Sequence, residues 1–417
     1  MQRYEKYKDS GIDWLGEIPE HWEVKKITHL FKKIGSGTTP TAGSALYYDN
    51  GIINFLQTGD LNNNYIFSTS KKITERALLD YSSLKIFPVG SLVIAMYGAT
   101  IGKLGILKIE ATTNQACCVL GECQIELDLK YIFYWFIFAK NQILSMSYGG
   151  GQPNISQDLI KSLRVHFPTF HEQKSIAKFL DDKCKRIDAA VDLKEQQIEK
   201  LKELHEIIIH NAVTKGVPHS EVEAVQMKYS GIDWIGEIPE HWDIMPIKYF
   251  TYMQSGETIS AENFVEEGYP VFGGNGFRGY AKRYTNEGKT VLIGRQGALC
   301  GNVNYADGKF FASEHAIVVY PTRKVNLKWL GEIIRLADFN RLSQSAAQPG
   351  IAVNVIKNVL FPFPSYKEQC IIGAYLDKQT TKIDKAIAQK QEQIVKLKEY
   401  KQSLINEVVT GKIKVSI

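Results

Sequence analysis

The chain contains one pattern twice, and nothing else in it restricts the fold as much. Residues 10–22 read SGIDWLGEIPEHW and residues 230–242 read SGIDWIGEIPEHW, so twelve of thirteen positions match at an offset of 220. A second match runs at an offset of 196. It pairs Gln152-Pro153 with Gln348-Pro349, Ile155 with Ile351, Phe167-Pro168 with Phe363-Pro364, and Glu172-Gln173 with Glu368-Gln369. It continues through Leu180-Asp181 with Leu376-Asp377, Ile187-Asp188 with Ile383-Asp384, and Gln197-Ile198 with Gln393-Ile394. Matches this long at a steady register mark a tandem duplication. The offsets differ by 24, so similar ends enclose middles of unequal length. Each copy therefore has a short peptide (10–22, 230–242), a variable region (about 23–165 and 243–361) and a long charged segment (about 169–215 and 365–411). Such a plan suits one frame that presents two different recognition surfaces.

The charged segments are predicted helices. Thr169-Phe-His-Glu172 and Ser365-Tyr-Lys-Glu368 both fit a capping box, in which the hydroxyl and the carboxylate satisfy amides of the first turn reciprocally. Downstream, spacings of four and three alternate through Leu180, Cys184, Ile187, Val191, Lys194, Ile198, Leu201, His205, Ile208 and Ala212. The second copy follows with Leu376, Thr380, Ile383, Ile387, Lys390, Ile394, Leu397, Lys401, Leu404 and Val408. A period of 3.5 residues sustained this long is a seam for another helix. The seam is imperfect at Lys194, His205, Lys390 and Lys401; the other charges are expected to form a solvated face. Gly216 with Pro218, and Gly411, end the two runs. About 45 residues make a helix of roughly 65–70 Å. The nearest available partner is the other copy, antiparallel about a pseudo-two-fold axis.

Composition removes several classes of protein. With 44% hydrophobic and 23% charged residues among 417, the chain is neither disordered nor fibrous. No apolar run approaches the ~18 residues of a membrane span, and the opening Met1-Gln-Arg-Tyr-Glu-Lys lacks an apolar signal region. Six cysteines without a CxxC pair argue for a reducing, cytoplasmic setting and against a zinc site. The net charge of +5, from 50 basic and 45 acidic residues, permits nucleic-acid binding without requiring it.

Both variable regions carry an apolar β-run followed by G-A-x-x-G, at 98–102 and 297–301. Asn114-Gln115-Ala116 and Glu314-His315-Ala316 follow at an offset of 200, and an amphipathic helix comes next, near 130–145 and 328–344. The regions read as distant relatives with one β-rich fold. In the second, Arg278, Lys282, Arg283, Lys289 and Arg295 fall within 18 residues, with Tyr280 and Tyr284 interleaved and Glu287 the only acid. This pattern suits phosphate contacts and bidentate reading of guanine by Arg. Gln296, His315 and Gln348 join the DNA-binding candidates there. The first region is nearly neutral, ten basic against nine acidic residues over 28–160. Its candidates are Lys32, Lys33, Thr38, Lys103, Asn114, Gln115, Gln152 and Asn154. An ordinary surface or turn role is the alternative for each. Trp14, Trp22, Trp234 and Trp242 of the repeated peptides are either anchors for a partner protein or an internal clasp.

Signs of catalysis are missing from the sequence. Gly288-Lys289-Thr290 lacks the upstream glycine of a phosphate loop, since position 283 is Arg. The run FGGNG at 272–276 formally fits a glycine-rich nucleotide loop but reads as a turn, and neither G-x-S-x-G nor H-E-x-x-H occurs. The chain is expected to do no chemistry itself and to need no metal or cofactor.

Taken together, the doubled SGIDW peptide, the G-A-x-x-G turn, the Gln-Pro-x-Ile element and the F-P-x-x-x-E-Q start of a heptad helix resemble the specificity subunit of bacterial type I restriction-modification enzymes. The likeness spans nearly the whole chain. It implies an α+β fold in which two β-rich target-recognition domains are separated by an antiparallel coiled coil of two long conserved helices, with pseudo-two-fold symmetry. The implied domains are 1–165 (peptide and first recognition domain), 166–216 (first helix), 217–361 (linker, repeated peptide and second recognition domain) and 362–417 (second helix). Each recognition domain would read half of a bipartite, asymmetric double-stranded DNA site. The helices would set the gap, and with the SGIDW peptides would dock two methyltransferase subunits; motor-nuclease subunits would join for cleavage. S-adenosylmethionine, ATP and magnesium would belong to those partners. A stand-alone DNA-modifying enzyme, or a coiled-coil scaffold that does not bind nucleic acid, stay open as alternatives from the residues alone.

Overall fold

The computed structural model describes residues 2–147, 154–217, 226–297, 299–343 and 350–415. The chain forms two compact units, one of residues 1–193 with 393–417 and one of residues 194–392.

In the first unit the repeated peptide is a β-hairpin. Tyr7–Asp9 pairs antiparallel with Glu17–Pro19, Tyr7 opposite Pro19 and Asp9 opposite Glu17. The strand Glu23–Lys26 then pairs antiparallel with Arg164–Phe167, which leads into the first long helix, Phe170–Lys215. The variable region is thus closed at its base. Above it lies a five-stranded sheet in the order Phe31–Gly35, Cys117–Cys123, Leu92–Ala95, Leu104–Leu107, Asn64–Ile66. A three-stranded sheet of Thr112–Thr113, Ile53–Leu56 and Lys71–Ile73 stands beside it. The helix Leu129–Ser145 starts at Asp128, whose carboxylate accepts from the Tyr131 amide at 3.1 Å, and buries Tyr131, Ile132 and Trp135 against the large sheet.

The same core takes in Ile176, Leu180, Cys184 and Ile187 of the first long helix and Leu404, Ile405 and Val408 of the second, Tyr366–Val409. Lys401 Nζ donates to both Asp188 carboxylate oxygens at 2.6 Å. Val409 lies against His166, so rising numbers meet falling ones and the segments are antiparallel. Burial drives the His166 imidazole down to about 3, hence neutral.

The second unit repeats this plan. Met227–Tyr229 pairs with Glu237–Pro239, and Asp243–Pro246 with Leu360–Phe363. A four-stranded sheet runs Thr251–Ser255, Ala316–Pro321, Thr290–Gly294, Val303–Ala306, matching the first four strands of the first unit's large sheet. The other sheet runs Phe264–Val265, Gly276–Ala281, Tyr269–Gly273, Lys309–Ala312, Asn286–Glu287; its central three strands repeat the order and sense of the first unit's three-stranded sheet, and a strand is added at each edge. The amphipathic helix is shorter than its sequence suggests. Leu327–Leu336 stops where Asp338 takes a left-handed φ of 43°, and a 3₁₀ turn, Phe339–Leu342, follows. Ile209, Ala212 and Val213 pack with Ile372 and Leu376. Lys390 Nζ donates to Gln197 Oε1 at 2.7 Å and His205 lies 4.0 Å from Asp384, again antiparallel. Three of the polar seam positions thus have partners across the seam.

The long helices end as their glycines require, at Gly216 (φ 83°) and Gly411 (φ 73°), where an L side chain would be strained. Pro218 lies outside the described residues.

Each helix start is a junction built from two side chains. Glu172 Oε2 accepts from the Thr169 amide at 3.1 Å, while the Glu172 amide donates to Thr169 Oγ1 at 3.3 Å, which is the capping box. The other oxygen, Oε1, meets Trp22 Nε1 at 3.3 Å, His21 Nε2 at 2.9 Å and the Tyr4 hydroxyl at 3.1 Å. The next residue, Gln173, is fully buried; its Oε1 accepts from the Asp128 amide at 2.9 Å and its Nε2 donates to the Pro168 carbonyl at 2.9 Å. Glu368 and Gln369 repeat these bonds with Ser365, Trp242 and His241, and with Asn326 and Pro364. The E-Q pair therefore ties the repeated peptide, the recognition-region helix and the long helix together.

Glu172→Ala should cost roughly 2–4 kcal/mol in unfolding free energy, because it removes the cap and leaves the buried Trp22 N–H without an acceptor. Chemical denaturation measures it. Burial raises the Glu368 carboxyl, but hydrogen bonds from Ser365, His241 and Trp242 outweigh burial and hold it at about 2, below its ordinary 4.5. A depressed carboxyl stabilises fully above its unfolded value. The gap in melting temperature between wild type and Glu368→Gln should therefore be largest above pH 4.5 and close as pH falls toward 2.

Candidate nucleic-acid interface

The two G-A-x-x-G segments occupy equivalent places. In each unit the segment joins two neighbouring strands of the large sheet, and both terminal glycines have positive φ: 82° and 72° at Gly98 and Gly102, 94° and 86° at Gly297 and Gly301. Ile155 donates its amide to the Met96 carbonyl, and Ile351 to that of Arg295, so these two isoleucines dock alike beside the turns. Gln152 and Gln348 themselves lie outside the described residues.

The side chains at these equivalent places differ. In the first unit Tyr97 lies beside Gln115, whose Oε1 accepts from Thr39 Oγ1 at 2.7 Å. In the second, Gln296 stands in place of Tyr97 and His315 in place of Gln115, and His315 Nδ1 lies 2.9 Å from Gln296 Oε1. A shared frame thus displays a different pair of hydrogen-bonding groups in each copy.

Around the second pair lies an open cleft of about 660 Å³, lined by Asn275, Phe277, Arg278, Gln296 and His315. Arg278 is exposed, and its guanidinium sits 5.7 Å from the Phe264 ring. Arg295 is half-buried and donates to the Glu314 carbonyl at 3.4 Å. Lys282 and Arg283 line a smaller cleft of about 210 Å³ beside Phe311, where Arg283 is paired with Glu257 at 2.7 Å. Tyr280 is exposed, with its ring 5.1 Å from that of Phe277. Lys289 lies beyond the opposite end of the strand from Gln296, paired with Asp307 at 3.2 Å. The basic run is therefore spread over separate surfaces, because a strand carries neighbouring residues away at ~3.3 Å each.

In the first unit Lys32 and Lys33 are exposed on the edge strand Phe31–Gly35, with Lys33 paired to Glu122. Thr38 and Lys103 are half-buried, and Asn154 is exposed. Asn114 is also half-buried; its Oδ1 accepts from the Ala116 amide at 3.2 Å, a turn role. Phe277, Asn275 and Tyr97 are additions that sequence reasoning missed. The run at 272–276 is the turn it was read as, and its glycines were the available signal.

The tryptophans divide into two kinds. Trp22 and Trp242 are 0% and 1% exposed and donate to Glu172 and Glu368, so in this chain they form an internal clasp. Trp14 packs against Phe138 at 5.6 Å, and Trp234 against Phe361 at 5.7 Å. Both keep part of their surface exposed. Among the described residues no His, Cys, Asp or Glu group is placed to hold a metal ion, and no helix is long and apolar enough to cross a membrane.

A frame used twice, with different polar side chains at the same place on it, is the design of a modular DNA reader. The model of the type I restriction modification DNA specificity domain matches residues 19–203 and again 239–396, and the chain belongs to that family. It is 28% identical over 391 residues to the specificity subunit of the type I restriction enzyme EcoprrI of Escherichia coli, covering 89% of this chain and 91% of that one. To the MjaVIII specificity subunit of Methanocaldococcus jannaschii it is 25% identical over 448 residues, covering 100% and 98%. Two solved structures share the fold. One is a chain from work on complex assembly and conformational transition of the type I R-M system (TM-score 0.74, 16% identity, 95% of this chain and 99% of that one). The other is the HsdS subunit of Thermoanaerobacter tengcongensis (TM-score 0.55, 16% identity, 95% and 98%).

Trp22→Ala should lower unfolding free energy by roughly 3–5 kcal/mol, as expected for emptying a fully buried indole site. Thermal and chemical denaturation of the lone chain test this.

Proposed function

We propose that each variable region reads one half of a bipartite, asymmetric double-stranded DNA site. The observation that carries this reading is the exchange of Tyr97 and Gln115 for Gln296 and His315 at matching places of one frame. Equal frames with unequal hydrogen-bonding groups imply unequal base sequences. The long helices fix the gap between the half-sites, which would lie about one turn of B-DNA (~34 Å) apart on one face of the duplex.

Contacts to DNA come from Arg278, Tyr280, Lys282, Arg283, Lys289, Arg295, Gln296 and His315 in the second unit. In the first unit they come from Lys32, Lys33, Thr38, Lys103, Asn114, Gln115 and Asn154. The helices and the outer faces of the SGIDW hairpins dock two methyltransferase subunits. A motor-nuclease subunit joins for cleavage. The chain itself has no catalytic role and works in the cytoplasm. The modest net charge of +5 fits an assembly whose other subunits supply much of the phosphate binding.

Single-molecule methylome sequencing of a host expressing the chain with its methyltransferase should return a two-part motif. Exchange of region 243–361 for that of another family member should change one half and leave the other intact; an unchanged motif, or a change in both halves, refutes the modular reading. The salt dependence of DNA affinity should be steeper for the assembled methyltransferase than for the lone chain, and equal slopes would contradict shared phosphate binding. The double variant Trp14→Ala with Trp234→Ala should lose methyltransferase assembly while staying folded, with a fall in melting temperature smaller than that of Trp22→Ala. Unfolding instead would assign both residues to packing.

A further inference from the structure

Among the described residues, the larger cleft of the second unit is lined by one large apolar side chain, Phe277, among polar ones. Its wall is the hairpin of Tyr269–Gly273 and Gly276–Ala281, in which Gly273 faces Gly276 across a two-residue Gly274-Asn275 turn. The tip of this hairpin is locked in place. A Cβ on Gly274 would lie 2.8 Å from the Gln296 carbonyl oxygen, and one on Gly276 would lie 2.8 Å from Asn304 Oδ1. A Cβ on Gly294 would collide with the Gly274 carbonyl. The backbone therefore sets the position of Phe277 relative to Gln296.

Phe277 is 55% exposed, and the ring nearest to it is the edge of Tyr280. Beside Phe277 stands Gln296. The bond from His315 Nδ1 to Gln296 Oε1 holds the amide in one orientation, and the amide nitrogen donates no bond among the described residues. An oriented amide next to an apolar plate matches the major-groove edge of an A·T pair. There adenine offers N7 and its amino group, and thymine offers a methyl group.

We propose that Phe277 is a specificity-determining residue that reads the 5-methyl group of a thymine in the half-site taken by the second variable region, with Gln296 taking the adenine of that pair. This rests on the proposal that region 243–361 reads DNA. A wedge inserted between bases would use the same exposed ring, but would not sense one methyl group.

The test uses the chain assembled with its methyltransferase and duplexes carrying the mapped site. Thymines in the second half-site are replaced one at a time by deoxyuridine, which lacks only the methyl group. At one position the wild type should bind about fourfold more weakly, the value of one buried methyl. Phe277→Ala should bind the thymine duplex more weakly and no longer distinguish it from uracil. Phe277→Leu should keep part of the discrimination. The uracil scan of the wild type needs no variant, so a misfolded substitution leaves the test intact. A flat scan overturns the proposal, as does discrimination that persists in Phe277→Ala or a second half-site without any A·T pair. If exchange of region 243–361 leaves both half-sites unchanged, the underlying reading has failed. If that exchange works and the scan is flat, only the role of Phe277 has.

Discussion

The carboxylate at the start of each long helix is the interaction on which the rest of each unit depends. One of its oxygens caps the helix and the other receives the indole of the repeated peptide, about 150 residues away in the first copy and 126 in the second. The glutamine that follows holds the first amide region of the recognition helix against the proline before the cap. Buried polar groups are costly unless every bond is made, and fully made they specify one arrangement. Three elements that share no surface in the sequence thereby acquire a single geometry. The thirteen-residue peptide fits this demand. Its one difference between copies, Leu15 against Ile235, falls at a buried position that tolerates an exchange of similar volume.

That junction frees the variable regions to change. The four shared strands and the Lys–Asp pairs that link the recognition helices to the long helices, Lys130 with Asp181 and Lys328 with Asp377, recur in both units. The additional sheets share only their central three strands, and the edge strands and the side chains beside the G-A-x-x-G turns differ. Membership of the DNA specificity family accords with this division between a constant frame and replaceable reading surfaces.

The electrostatics of the second unit show why charge along a strand is a poor guide to charge on a surface. Of the five basic residues between 278 and 295, Arg283 and Lys289 are held by carboxylates, Arg295 bonds the Glu314 carbonyl and Lys282 lines the smaller cleft, which leaves Arg278 lining the larger one. The groups that surround it there, Gln296 and His315 with Phe277 and Asn275, are mostly uncharged. A cleft of this kind is better suited to base edges than to phosphates.

Local features were legible in the sequence because local chemistry sets them. The capping boxes, the heptad seam, the glycine stops at 216 and 411 and the turn at 272–276 each depend on residues a few positions apart. The duplication itself exposed the two-copy plan, since a repeated frame must bury its faces in the same way twice. What the tertiary structure decided was long-range. The second use of Glu172 and Glu368, the bond of Arg295 to the Glu314 carbonyl, the partners of Lys390 and Lys401 across the seam, and the placing of Phe277 beside Gln296 all follow from which strands and helices are brought together. No spacing rule along the chain encodes them, because each contact joins segments whose separation is closed only by packing of the core.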